Sequence, residues 1–148
     1  MDLRDLYEEI ILDHNRNPRN YPRHPDGTNR RAEGHNPLCG DQVTVNLVVD
    51  GDRIVDVGFE GNGCAISTAS ASLMTEAVKG MSVADAEALF ERLHALLTDE
   101  HPVDPETIGK LSVLGGVKDY PMRVKCATLA WHTLHAALAN AGDPVTTE

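Results

Sequence analysis

Aromatic side chains are scarce in this chain of 148 residues, with Tyr, Phe and Trp together making only 4% of it. A core therefore has to be built from Leu, Val, Ile and Ala, and a hydrophobic content of 41% supplies enough of them to exclude wholesale disorder. Positive charge is also short: 13 Lys and Arg face 23 Asp and Glu, for a formal charge of −10. Such a surface repels the phosphate backbone, which excludes nucleic-acid binding, while leaving a basic protein surface open as a partner. No uninterrupted apolar run approaches membrane-spanning length, which excludes a membrane protein of the helical kind. The segment Met1-Asp2-Leu3-Arg4-Asp5 is acidic and lacks the apolar run of a signal peptide, so the expected location is the cytoplasm. Cysteine is limited to three, an odd number for a disulfide scaffold, and in a reducing compartment these read as thiols.

The length fits one domain. Leu3, Leu6, Tyr7 and Ile10 recur at helical spacing over residues 3–14, and Asn15-Arg16-Asn17-Pro18 supplies breakers. Residues 15–37 hold four of the eight prolines and predict an extended loop with an edge strand near Arg30 to His35. Val43, Val45, Leu47 and Val49 alternate with polar residues as on a half-buried strand. Asp50-Gly51 predicts a hairpin turn, with Val55, Val57 and Phe59 on the return strand. The rest of the pattern is helical. A helix starts near Cys64 and ends at Gly80, and a second, introduced by Ser82 and Asp85 as a cap, runs to Leu97. A short helix near Pro105 to Leu111 sits in a loop-rich stretch, and a last helix, apolar almost all round from Cys126 to Ala139, spans Pro121 to Ala141.

Cys39, Asp41, Cys64 and Cys126 each sit where the backbone changes character. Cys39 and Asp41 are two apart at the mouth of the first clear strand, and Cys64 follows a Gly-rich turn at a helix start, where free N–H groups stabilise a thiolate. Three thiolates and a carboxylate suit the tetrahedral shell of Zn²⁺. They carry four negative charges, of which the ion cancels two, and Arg123 and Lys125 lie close to Cys126 to offset the remainder. The intervals of one, 22 and 61 intervening residues match no compact zinc-finger pattern, and three unrelated core cysteines are an equally good reading of spacing alone.

Four stretches break that tie: Leu6-Tyr7-Glu8-Glu9-Ile10-Ile11-Leu12-Asp13-His14 with Asn17-Pro18-Arg19-Asn20, Asn36-Pro37-Leu38-Cys39-Gly40-Asp41, Gly61-Asn62-Gly63-Cys64-Ala65-Ile66-Ser67, and Tyr120-Pro121-Met122-Arg123-Val124-Lys125-Cys126-Ala127. In this order they resemble the IscU/NifU-like family of iron–sulfur cluster assembly proteins, in particular its SufU-type branch. The IscU-type pattern has a His immediately before the last cysteine, where this chain has Lys125. It also has a Leu-Pro-Pro-Val-Lys run that is missing here. The long interval between Cys64 and Cys126 is similar to the SufU-type insertion.

The resemblance implies an α+β fold of the SufE/NifU-like kind, a small antiparallel three-stranded sheet packed against about five helices. It implies one domain over residues 1–142 and a flexible tail over 143–148. It also implies a zinc-dependent sulfurtransferase that accepts persulfide sulfur from a pyridoxal-phosphate cysteine desulfurase of the SufS type, stimulates that enzyme and serves downstream Suf assembly proteins. Zn²⁺ is the expected cofactor, held by Cys39, Asp41, Cys64 and Cys126; Cys39 and Arg123 are the expected catalytic residues. A residue of the docked desulfurase takes a place on the zinc and frees Cys39 to accept the sulfur. Two other classes stay open: a scaffold holding an iron–sulfur cluster on the same ligands, and a zinc-stabilised protein that only activates a desulfurase by docking. His132 and His135, at i and i+3, have no evident third metal ligand; His14, His35 and Asn36 read as local hydrogen-bonding or turn residues.

Overall fold

The alternation from Gln42 to Val49 becomes the second strand of a sheet in the computed structural model of the chain, which describes residues 3–98, 100, 102–139 and 145–146. The elements run α1 (Leu3–Arg16), β1 (Arg30–Asn36), β2 (Asp41–Asp50), β3 (Arg53–Asn62), α2 (Ala65–Val78), α3 (Val83–Thr98), two 3₁₀ segments (Pro105–Thr107 and Gly109–Val117), α4 (Pro121–Leu138) and β4 (Val145–Thr146). β1, β2 and β3 form an antiparallel meander, and the sheet order is β3-β2-β1-β4. The architecture is the expected α+β arrangement of three antiparallel strands with helices, four of them α-helices.

One face of the sheet is closed by α4, which lies across β1 and β2, and by α2, which packs against α4 and β3. Ala32, Val43, Val45, Leu47, Val57 and Phe59 supply the sheet's buried side. Leu73, Met74, Leu129, Trp131 and Leu134 meet them from the helices, which accounts for a helix apolar nearly all round. Gly34 marks the closest approach: a Cβ there would run into the Thr133 hydroxyl and Leu129 of α4. α1 docks on α2 through His14, which is fully buried, with Nδ1 2.7 Å from the Ser72 hydroxyl; that hydroxyl also accepts the Arg19 N–H at 2.8 Å. Burial holds the His14 imidazole neutral, below its ordinary pKa, with Lys110 and Arg19 acting in the same direction.

Three expectations are corrected. The hairpin turn is Gly51-Asp52, because Asp50 still pairs with Arg53 and only Gly51 takes a positive φ, at 63°. The Pro105–Leu111 helix is two 3₁₀ segments reaching Val117, with Leu111, Leu114 and Val117 buried at the three-residue period of that helix. The last helix ends at Leu138, with Ala139 as its cap; the remainder of its expected span, 140–141, lies outside the described residues. Separately, Val145–Thr146 forms a short strand that pairs in parallel with Gly34 and His35 along the edge of β1, while the rest of the expected tail over 143–148 lies outside the described residues.

The segment after α1 stays irregular yet tied down. Asn20 and Arg23 exchange backbone hydrogen bonds with Phe59, and the Arg23 guanidinium makes a two-pronged pair with Asp56 on β3. That pairing holds the Asp56 carboxyl down to about 2.

Candidate metal centre

Three segments that are far apart in sequence meet at one end of the sheet. The turn between β1 and β2 carries Cys39 and is fixed by Asn36, whose Oδ1 accepts the Leu38 N–H at 3.0 Å and whose carbonyl accepts the Gly40 N–H at 2.8 Å. Gly40 has φ 76°, a left-handed conformation that a residue with a Cβ adopts only at a cost, and it turns the chain into β2 directly before Asp41. Cys64 is the N-cap of α2, its sulfur accepting the Ser67 N–H at 3.4 Å. Cys126 lies in the second turn of α4.

Asp41 is the hub. It is 1% exposed, and its Oδ1 accepts the Cys64 N–H at 2.8 Å. Its Oδ2 accepts the Cys39 thiol at 3.0 Å and lies 3.8 Å from the Cys64 sulfur. The sulfurs of Cys39 and Cys126 are 3.3 Å apart. One ligand atom each from Cys39, Asp41 and Cys126 lies within 4.8 Å of the others, the spread of donors around a single ion. Cys64 stands beside this trio, joined to it through Asp41. Cys39 and Cys64 are exposed and Cys126 is buried, so the centre has an open side.

Burial and the bond to Asp41 push the Cys39 thiol up, and the same two causes with the adjacent sulfurs push the Cys126 thiol up further. The Cys39 S–H donates to the Asp41 carboxylate and the Cys126 thiol lies against the Cys39 sulfur, so their protons occupy the place of a cation. A divalent ion that takes their place releases them and satisfies the same acceptors, so the donor set fits Zn²⁺.

The sequence-predicted residues do not all converge. Cys39, Asp41 and Cys126 do, and Cys64 borders them. Arg123 is exposed on the first turn of α4, its guanidinium 4.9 Å from the Tyr120 ring centre, and among the described residues no hydrogen bond joins it to a thiol or to Asp41. Sequence reasoning misses Tyr120 as the platform for Arg123, although an aromatic three residues before an Arg at a helix start is the available signal. His132 and His135 lie on α4 beyond the centre; Nδ1 of His135 is 2.6 Å from Oε2 of Glu87. His35 is exposed on β1, and Asn36 is the turn residue expected.

The chain is similar to known proteins along most of its length. The model of the NifU-like N-terminal domain matches residues 6–127. The chain is 38% identical to the zinc-dependent sulfurtransferase SufU of Bacillus subtilis over 93% of its own length and 92% of that protein. It is 36% identical to the iron–sulfur cluster assembly scaffold protein IscU of Streptococcus pyogenes, over 95% and 87% of the two chains. Among solved structures, a SufU from Fervidobacterium islandicum, ascribed to scaffold duty in the SUF system, superposes with a TM-score of 0.84 at 36% identity, covering 93% of this chain and 99% of that one.

Proposed function

The chain belongs to the family of NifU-like N-terminal domains, and from that footing we propose that it is a zinc-dependent sulfurtransferase of iron–sulfur cluster assembly. It accepts persulfide sulfur from a pyridoxal-phosphate cysteine desulfurase of the SufS type, stimulates that enzyme, and passes the sulfur to Suf assembly proteins. The supporting observation is the convergence of an exposed Cys39 on a buried Asp41 and Cys126, with Cys64 at the border. Cys39, Asp41, Cys64 and Cys126 would hold the ion, and bound Zn²⁺ supplies the positive charge that keeps their sulfurs deprotonated at neutral pH.

Cys39 is the acceptor. Cys126 is buried; Cys39 and Cys64 are both exposed, but the Cys64 sulfur caps α2 by accepting the Ser67 N–H, whereas Cys39 sits in a four-residue turn. Its thiolate attacks the outer sulfur of the desulfurase persulfide. A new S–S bond forms, the old one breaks, and its electron pair leaves on the desulfurase cysteine as a thiolate, so the transfer needs no outside oxidant or reductant. Arg123, one helical turn before Cys126 and exposed on Tyr120, provides the cation that meets the anionic persulfide. Leu38, Tyr120 and Met122, all exposed beside the site residues in sequence, give the docking enzyme an apolar rim.

A scaffold for a nascent iron–sulfur cluster is the second reading, favoured by the name of the streptococcal relative. Elemental analysis of anaerobically purified protein separates the two. The sulfurtransferase reading expects about one zinc per chain and no colour, whereas iron with acid-labile sulfide and a brown spectrum overturns it. Cys39→Ala is expected to abolish sulfur acceptance from a desulfurase persulfide while desulfurase binding persists; transfer at the wild-type rate sinks the assignment of Cys39.

A further inference from the structure

Asn36 has a second amide end that the turn does not use. The side chain is fully buried, and while Oδ1 holds Leu38, Nδ2 has no hydrogen-bond partner among the described residues. A buried donor left unmet bears its full desolvation cost, so its position calls for an acceptor.

Register and packing locate that acceptor. Asn36 pairs with Asp41 across β1 and β2, next to the pairs Gly34–Val43 and Ala32–Val45. All six residues are buried, and partners in an antiparallel ladder project to the same face. On that face Gly34 abuts Leu129 and Thr133 of α4. Two residues along a strand advance about 6–7 Å, roughly one turn of a facing helix. Asn36 therefore lies at the level of the turn of α4 that precedes Leu129, which is the turn of Cys126. Asp41, its strand partner, is already grouped with Cys126.

The donors at the centre are unevenly shared. Asp41 has the Cys64 N–H, and Cys64 has the Ser67 N–H. Among the described residues no N–H donor meets the sulfur of Cys126. Three thiolates and a carboxylate exceed the charge of one Zn²⁺ by two, and Arg123 is turned onto Tyr120. A neutral N–H donor on the closed side stabilises such a cluster whatever its cations supply.

We infer that Asn36 is a positioning residue of the metal centre: Oδ1 holds the Cys39 turn, and Nδ2 donates to the sulfur of Cys126 when that sulfur is a metal-bound thiolate. This rests on the zinc-centre reading above. It is tested with Asn36→Ser, whose hydroxyl can still accept the Leu38 N–H but is too short to reach the helix, and with Asn36→Ala, which lacks both functions. Zn²⁺ affinity is measured by chelator competition, and the thiolate-to-cobalt charge-transfer band is recorded on Co²⁺-substituted protein. Both variants are expected to lose about 10–100-fold in affinity and to shift the band to lower energy, since the sulfur loses its donor. Wild-type affinity and an unshifted band in Asn36→Ser overturn the donor role and leave Asn36 as a turn residue only. Should Asn36→Ala fail to fold, Asn36→Ser decides alone. Wild-type protein that binds no zinc tightly fails the zinc-centre reading itself, an outcome distinct from tight binding that the variants leave unchanged.

Discussion

The two ends of α4 are held in opposite ways. At its start, Cys126 faces a thiol and a carboxylate, with an open side toward solvent. Further along, Trp131 and Leu134 are buried among aliphatic side chains, and His132 and His135 ring the Phe90 side chain of α3. The apolar half is stable with nothing added, because burial removes hydrocarbon from water and leaves no charge behind. The thiol half is satisfied only by protons or by a cation. One helix thus anchors the fold with one end and presents chemistry with the other.

The sharpest way to break that contrast is Trp131→Ala, which removes the largest fully buried side chain. A loss of about 3–5 kcal/mol is expected from the lost burial and the cavity left behind. Denaturant unfolding should show it both with metal and after chelation. Chelation alone should leave the wild type folded but less stable, by about 3–4 kcal/mol relative to protein with free Zn²⁺ at roughly 100 to 1,000 times its Kd. Equal melting temperatures with and without the metal would mean that the centre does not contribute to the fold.

Gly34→Ala probes the boundary between the halves. The added methyl meets Thr133 and Leu129, so α4 has to move off β1, at a cost of about 1–3 kcal/mol. Because Asn36 and Cys126 lie one step further along the same contact, zinc affinity should fall with stability. Unchanged affinity in the folded variant would separate the two halves.

The smallest effect is on pH dependence. Burial, with His94 and His135 nearby, lowers the His132 pKa in the folded protein below its ordinary value of 6.5. As pH falls through 6.5 the unfolded chain takes up the proton first, so stability present above that pH is lost below it. His132→Leu should flatten the fall in melting temperature between about pH 7.5 and 5.5. Because buried His14 acts with the same sign, some slope should remain. An unchanged slope would remove His132 from the balance.

Much of the fold is legible in the order of the residues. The period-two run of β2 and the cap at Ser82, whose hydroxyl accepts the Asp85 N–H at 3.1 Å, are local signals written in neighbouring residues. The 3₁₀ stretch Gly109–Val117 is harder to read, since a three-residue period over three positions is short and two glycines interrupt it. β4 carries no signal, because two residues cannot show a period and their pairing depends on a distant edge.

The sequence by itself determined the α-helices, the three-stranded meander and the four chemical groups Cys39, Asp41, Cys64 and Cys126, because capping and amphipathic periods depend on residues within a turn or two of each other. Only the tertiary structure decided how those groups are shared. It put Asp41 between three sulfurs, turned Arg123 onto Tyr120, left Cys39 open and Cys126 closed, and set Asn36 beneath α4. Those outcomes follow from the packing of α4 against β1 and β2, which is fixed by side chains many tens of residues apart and by the absence of one at Gly34.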